Sequence, residues 1–354
     1  MAGVLHTLLI PFSWLYGLGA AAMNAVYDAG FIASQRGPVP VISVGNLTAG
    51  GTGKTPLVEH IASALAERGR TVAVVSLGYG RKTRGVVVVS NRGSVKADAT
   101  TGGDEPVQIA RKFPTLSVVV GERRIDAVEA AVRECGADVV VLDDAFQHRA
   151  IARDLDILVM DARKNPMREA LLPAGMRREW LSGIRRAHLV GFSRSSPGAD
   201  PAWAAELPRG NAFGGTFAYR TVITRFASFP GGETLGRMSL GGKRFMAFSG
   251  IGDHSSFMAS LGSEGIAVAS DRRFRDHHVY TADDAAAICR RAKGTDGLIT
   301  TEKDMVRLLA APAVAHVLTD SAPVTYAVAG IEVIRGEETL REAVARALGG
   351  GAGS

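Results

Sequence analysis

From about residue 39 onward, short apolar runs alternate with longer stretches of helical period. PVPVISVGN reads as a strand, PLVEHIASALAERG as an amphipathic helix stopping at Gly69, and TVAVVSLGYG as a second strand. VEAAVRECGA closes another helix. ADVVVLDDAFQ is a strand with an acidic end, and LDILVMDA and RAHLVGFS are further strands. Apolar strands separated by helices predict a parallel sheet covered on both faces, an α/β protein.

The pattern changes near residue 212. FGGTFAYRTVITRFASF alternates like a strand and PGGETLGRMSLGGK is rich in turns, so the two predict a connecting hairpin. A second α/β unit starts at FMAFSGIGD. It continues through helix SSFMASLGSEG, strand IAVASDRRF, helix ADDAAAICRRAKG and strand GLITTEKD. The expected division is an N-terminal helix over 1–35, a first unit over 36–212, a hairpin linker over 213–240, a second unit over 241–348 and a flexible glycine-rich tail over 349–354.

Residues 1–35 contain one formally charged side chain, Asp28. No basic residue precedes the apolar run, unlike a secretory signal. The stretch is long enough to span a bilayer, but His6, Pro11, Ser13 and Asn24 dilute it. An interfacial helix with Trp14, Tyr16 and Tyr27 at headgroup depth is expected, against the alternative of a helix packed on the protein's own core.

Composition narrows the picture a little. Of 354 residues, 46% are hydrophobic and 21% charged, so a sizeable core can form. Cys135 and Cys289 are far apart in apolar, helix-like stretches. They read as core thiols in a reducing compartment, not as a disulfide or metal site. A net charge of +6 points to an anionic partner.

Candidate chemistry begins at VISVGNLTAGGTGKTPLV (residues 41–58). A strand runs into a glycine-rich loop and then a helix, and the loop ends in Gly53-Lys54-Thr55. That is a phosphate-binding loop with Thr48 where the first glycine usually stands. Thr48, Ala49, Gly50, Gly51, Thr52, Gly53, Lys54 and Thr55 form the expected ATP cradle. Lys54 reaches the β- and γ-phosphates, Thr55 offers its hydroxyl to magnesium, and the helix N-terminus favours the anion. Thr48 could hydrogen-bond locally in place of the glycine turn. VVVLDD supplies a partner: Asp143 and Asp144 end a neighbouring strand, where paired carboxylates call for a cation.

Other clusters speak less plainly. TGGDEP places Asp104 and Glu105 in a glycine-rich loop, and FRDHHVY places Asp276, His277 and His278 before Tyr280. An Asp–His pair drawn from two units could activate a hydroxyl, although such clusters often only cap helices. The segment Arg163 to Arg186 carries seven basic residues against two acidic, interleaved with Leu171, Leu172, Trp180 and Leu181. It reads as a basic, partly apolar surface for anionic lipid or glycolipid.

VGNLTAGGTGKTP, LGYGRK, GGDEP, VVVLDDAFQHR, LLPAG with the following RREWLSGIRRA, DHH and ITTEKD occur in this order. Together they resemble the tetraacyldisaccharide 4′-kinases of the lipid A pathway, over roughly residues 10 to 310. That family has the same departure at the Thr48 position. The resemblance implies two α/β/α domains, the first P-loop NTPase-like, joined by a two-stranded linker, with an N-terminal membrane-associated helix. It implies transfer of the γ-phosphoryl of ATP to the 4′-hydroxyl of a tetraacylated glucosamine disaccharide 1-phosphate. It also implies a peripheral or monotopic protein at the cytoplasmic face of the bacterial inner membrane, anchored by the N-terminal helix, to which the basic patch read above would add a membrane contact. Nucleic acid is not an expected partner. Asp104 would be the general base assisted by His277, with Lys54 completing the catalytic set. Thr55, Glu105, Asp143 and Asp144 would surround Mg2+. Tyr79, Arg81, Arg124, Gln147, His148 and Asn165 would contact phosphate or substrate. Two positions depart from the family pattern. Leu77 replaces an arginine, so a phosphate contact is either missing or comes from Arg81, and Arg168 replaces an asparagine, with Asn165 as the substitute.

A soluble P-loop kinase for a small metabolite is the alternative, and the apolar N-terminus speaks against it. A GTPase switch would need an N-K-x-D base reader, but Thr301-Glu302-Lys303-Asp304 lacks the spacing. A partition ATPase would need an early lysine in the loop, and Thr48 to Thr52 contains none.

Overall fold

Strand Val41–Asn46 is buried at all six positions. It takes a parallel neighbour on each side, Val41 opposite Val140 in Val139–Asp143 and Ile42 opposite Leu155 in Leu155–Asp161. The computed structural model describes residues 2–349, with side chains from Thr7 onward, so residues 350–354 of the expected tail lie outside the described residues. Alternate side chains of these strands, and of Val72–Ser76 beside Val139–Asp143, enter different cores. Ile42, Val44, Val72, Val74, Val139 and Val141 pack with helix Lys54–Glu67. Val41, Ala73, Val75, Val140 and Leu142 pack with helix Arg124–Cys135. Both faces of the sheet are therefore covered, which explains strands that are apolar throughout rather than alternating.

The second unit repeats the logic with parallel strands Arg244–Ser249, Ala267–Arg273, Gly297–Thr301 and Val324–Arg335. Among the described residues the fourteen strands form one sheet. The seam is strand Gly215–Phe229. Its start runs parallel to Leu189–Ser193, and most of its length runs antiparallel to Val324–Arg335.

The seam corrects the expected hairpin. The hairpin over 213–240 exists only as a two-residue pairing, Thr234 opposite Ala227 and Leu235 opposite Phe226. The long partner of Gly215–Phe229 comes instead from the far end of the chain, a pairing that no local pattern announces. Because Val324–Arg335 runs back towards the first unit, helix Glu337–Gly349 is carried back with it. That helix sets Ala343, Arg346 and Ala347 beside Leu155, Leu189 and Gly214 of the first unit.

Helix Ala2–Asp28 lies on the first unit by a narrow polar and small-residue face. The Ser13 hydroxyl donates to the Leu171 carbonyl at 2.9 Å. The Trp180 indole donates to the Gly17 carbonyl at 2.8 Å, and Asn24 donates to Glu179 at 3.1 Å. Trp14 stacks at a tilt 5.4 Å from Trp180. Tyr16 donates to the Arg178 carbonyl, and the Arg149 guanidinium sits over Tyr27, so these two tyrosines bind the protein body. The opposite side of the helix leaves Leu8, Phe12, Leu15, Leu18 and Met23 exposed. Neither sequence alternative describes this helix alone, since one face docks and the other is bare.

The segment expected as a basic surface supplies this docking platform. Arg163 pairs with Asp161, Arg178 with Asp144 and Arg186 with Glu179, while Leu171 is buried. Several of its cations are therefore used inside the protein. Cys135 is buried, whereas Cys289 is half-buried on helix Ala282–Arg291, and both are free thiols.

Candidate active site

The phosphate loop joins strand Val41–Asn46 to helix Lys54–Glu67. The Asn46 amide nitrogen closes it, donating to the Thr48 carbonyl at 2.5 Å and to the Thr52 hydroxyl at 2.9 Å. Gly50 (φ 96°) and Gly53 (φ 80°) occupy the left-handed region, where a side chain is strained. Thr48 does not, so the missing glycine is not required at that position. The local bond expected of Thr48 is made by its carbonyl. Tyr219 donates to the Gly53 carbonyl at 2.9 Å, and the Ala49 amide donates to the Met176 carbonyl at 2.7 Å.

Strand Val139–Asp143 brings the acid pair alongside and gives its members different partners. Thr55 donates to Asp143 Oδ2 at 3.2 Å. Asp143 is buried, and its Oδ1 has no hydrogen-bond partner among the described residues. Burial pushes its carboxyl up to about 7, with the nearby charge of Glu105 adding and Lys54 opposing. Asp144 stands at φ 53° and accepts from Arg178 Nη1 at 2.9 and 3.0 Å, with Lys54 Nζ 3.6 Å away. Burial would raise Asp144, but Lys54 and Arg178 together hold it low.

Asp104 and Glu105 are not in a loop as the sequence suggested. They form the first turn of helix Asp104–Lys112, where the helix dipole favours anions. Two cations of helix Glu302–Leu309 meet them: Lys303 Nζ lies 2.9 Å from Glu105 Oε1, and Arg307 Nε lies 2.9 Å from Asp104 Oδ2. His277, at φ 57°, brings Nδ1 to 3.5 Å from the same Asp104 oxygen. Burial alone would raise Asp104, but hydrogen bonds from His277 and Arg307 and the charge of Arg307 hold it at about 2. His278 instead bonds Asp284 at 2.8 Å and stacks on Phe274, so only one of the paired histidines serves the cleft. Strained backbone at both Asp144 and His277 fits a site whose geometry is imposed by its surroundings.

The other candidates divide. Tyr79 is exposed and lies 5.4 Å from the His277 ring, which puts it at the cleft. Gln147 donates to the Asn46 carbonyl and to Glu179, both at 2.9 Å, beside the phosphate loop. Arg124 is buried at the start of its helix and donates to the Gly121 carbonyl, and its Nε has no hydrogen-bond partner among the described residues. His148 is pushed down to about 4 by burial and by Arg124, so it is neutral at physiological pH. Arg81 is turned away from a phosphate role, with its guanidinium on Glu122 and the Gly85 carbonyl. Asn165 accepts from the Met167 amide and caps the turn Pro166–Arg168. Sequence reasoning passed over Arg178, hidden among the supposed surface cations, and Arg307. The only signal for Arg307 is its place one turn after Lys303, on the helix that ITTEKD opens.

Among the described residues no three His, Cys, Asp or Glu side chains form a ready-made metal cluster. Magnesium bound with a nucleotide does not need one, because it takes one or two protein oxygens and completes its shell with phosphates and waters. The Thr55 hydroxyl, the unpartnered Asp143 oxygen and the Glu105 carboxylate fit that demand.

Comparison with known proteins agrees across the chain. The family model described as tetraacyldisaccharide-1-P 4′-kinase matches residues 5–348. A tetraacyldisaccharide 4′-kinase of Chlorobaculum tepidum is 40% identical, over 88% of this chain and 89% of its own. One of Anaeromyxobacter sp. is 41% identical, over 98% and 93%. Among solved structures, the apo form of LpxK from Aquifex aeolicus in complex with ATP superposes with a TM-score of 0.77 at 32% identity, covering 97% and 99% of the two chains.

Proposed function

The chain belongs to the tetraacyldisaccharide-1-P 4′-kinase family, and from that premise we propose how its cleft transfers the γ-phosphoryl of ATP to the 4′-hydroxyl of the lipid A disaccharide precursor. Loop residues 50–53 present backbone amides to the phosphates, the Ala49 amide being taken by the Met176 carbonyl, and Lys54 neutralises charge on the β- and γ-groups. Thr55, Asp143 and Glu105 would hold Mg2+, which would supply charge neutralisation at the β- and γ-oxygens when bound. Asp144 is kept for Lys54 and Arg178. Asp104 accepts the proton of the 4′-hydroxyl as that oxygen attacks phosphorus, and His277 orients it. His277 and Arg307 keep Asp104 ionised and so able to accept a proton. Tyr79, Gln147, Arg124 and His148 remain for phosphate and sugar contact.

The carrying observation is that Asp104 meets His277 across the two units while Thr55 meets Asp143 in the phosphate loop. For localisation we propose the cytoplasmic face of the inner membrane. The bare side of helix Ala2–Asp28 would lie in lipid while its other side stays on the enzyme, presenting the cleft to an acylated acceptor. That exposed apolar face disfavours a small soluble metabolite as acceptor. The test is incubation with γ-labelled ATP and tetraacylated disaccharide 1-phosphate, followed by chromatography of the lipid. Label in a bisphosphorylated lipid supports the reading, and label released only as inorganic phosphate overturns it.

A further inference from the structure

The residues of the ITTEKD segment and the helix that it opens converge on Asp104. Thr301 caps helix Glu302–Leu309. Asp304, on the first turn, is fully buried. It accepts from the Gly250 amide at 3.1 Å to both oxygens, from Tyr280 at 2.9 Å and from Thr301 at 2.6 Å. Three partners making four bonds to one carboxylate make it a fixed post. Arg307 leans on that post, its Nη1 donating to Asp304 at 3.1 Å and to the Gly250 carbonyl at 2.6 Å. Its Nε is thereby aimed at Asp104 Oδ2.

Helix Glu302–Leu309 also holds the neighbouring acid. Lys303 and Arg307 are four residues apart, hence on one helical face, and they meet the consecutive residues Glu105 and Asp104. Glu302 fastens the same two helices further along, lying 3.1 Å from Lys112 and accepting from Gln108 at 3.3 Å. With Nη1 bonded to Asp304 and to the Gly250 carbonyl, the planar, rigid guanidinium holds its Nε–H in a fixed direction towards Asp104.

We infer that Arg307, braced by Asp304, is a positioning residue for the catalytic aspartate. It pins Oδ2 together with His277 and so turns Oδ1 towards the acceptor hydroxyl. This rests on the reading of Asp104 as the base. Arg307 touches neither nucleotide nor acceptor in this scheme, so its loss should fall on turnover alone.

The experiment measures kcat, the KM for ATP and thermal unfolding for Arg307→Ala, Arg307→Lys, Asp104→Asn and the Arg307→Ala/Asp104→Asn pair. Arg307→Ala should lower kcat by about 10²-fold, the lower range of what general-base catalysis supplies, with the KM for ATP within about twofold of wild type. Guanidinium ion in the buffer should restore part of that loss, and should restore nothing in the pair. Arg307→Lys keeps a cation on Asp304 but lacks the fork, so it should fold and still lose roughly tenfold in kcat. It serves as the test if the alanine variant does not fold. Wild-type kcat in a folded Arg307 variant, with Asp104→Asn inactive, overturns the inference and leaves the base intact. Near-wild-type kcat in Asp104→Asn overturns the base reading itself. A rise in the KM for ATP as large as the fall in kcat would make Arg307 a nucleotide contact and also overturns the inference.

Discussion

Asp104 and His277 belong to different α/β units, yet His277 Nδ1 lies 3.5 Å from Asp104 Oδ2. Each is held by a feature of its own unit. Asp104 opens a helix whose N-terminal dipole favours its charge. His277 occupies a left-handed backbone conformation with its ring beside Tyr79. The contact joins the two units, so under the proposed role of Asp104 as base, hydroxyl activation would depend on how the units meet.

The phosphate loop provides the plainest expectation. Lys54→Ala should lower kcat by at least ~10²-fold, as for loss of one preorganised electrostatic stabiliser. Thr55→Ala should raise the magnesium concentration needed for half-maximal rate, because Asp143 would lose its hydroxyl neighbour. Steady-state rates over a magnesium series check both, and unchanged turnover in the lysine variant would remove the loop from the chemistry.

Docking of the N-terminal helix depends on close approach at Gly17. A Cβ there would lie 2.5 Å from Leu171 Cδ1 and 2.9 Å from the Trp180 ring. Gly17→Leu should therefore cost about 1–3 kcal/mol through overpacking. It should not weaken sedimentation with vesicles, since the exposed side of the helix is unchanged. Chemical denaturation and vesicle co-sedimentation separate the two effects. A variant that falls off vesicles with unaltered stability would contradict the two-faced reading.

Three helices that carry site residues are tied together by buried charge. Lys112 Nζ lies 2.6 Å from Glu59 and 3.1 Å from Glu302, joining Lys54–Glu67, Asp104–Lys112 and Glu302–Leu309. Above about pH 7, where Glu59 is ionised, Lys112→Met leaves two buried carboxylates without this cation and should cost about 3–5 kcal/mol. Burial raises the Glu59 carboxyl from its ordinary 4.5 to about 7, against the charge of Lys112. The folded protein then holds a proton there that the unfolded chain has released. Stability from this group is full below about pH 4.5 and is lost as pH rises to about 7. Glu59→Gln should flatten the stability profile over that window. Denaturation midpoints taken across it decide, and an unchanged slope would refute the assignment.

Much of this was legible in the sequence, for physical reasons. Buried parallel strands and their covering helices announce themselves by periodicity, and a phosphate loop needs glycines and a lysine at fixed spacing. The pairing of Gly215–Phe229 with Val324–Arg335 was not legible, because strand register between distant segments leaves no local trace. Arg178 and Arg307 were hidden for a similar reason. A cation that meets a buried acid reads the same in sequence as one facing water, and only the fold brings Arg307 to Asp104 and Arg178 to Asp144. The small-residue face at Ser13 and Gly17 was masked by the apolar composition around it.

The measurement that bears most directly on the central claim is a kinetic cycle on Asp104→Ala, His277→Ala and the double variant, with ATP affinity determined separately. Asp104→Ala should lower kcat by about 10²–10⁴-fold, the span of general-base contributions, and leave ATP affinity nearly intact. His277→Ala should do the same less severely. The double variant should be little worse than Asp104→Ala, because residues acting as a unit are not additive. Fully multiplicative losses, or a loss of ATP affinity equal to the loss of turnover, would contradict a base assembled from the two units.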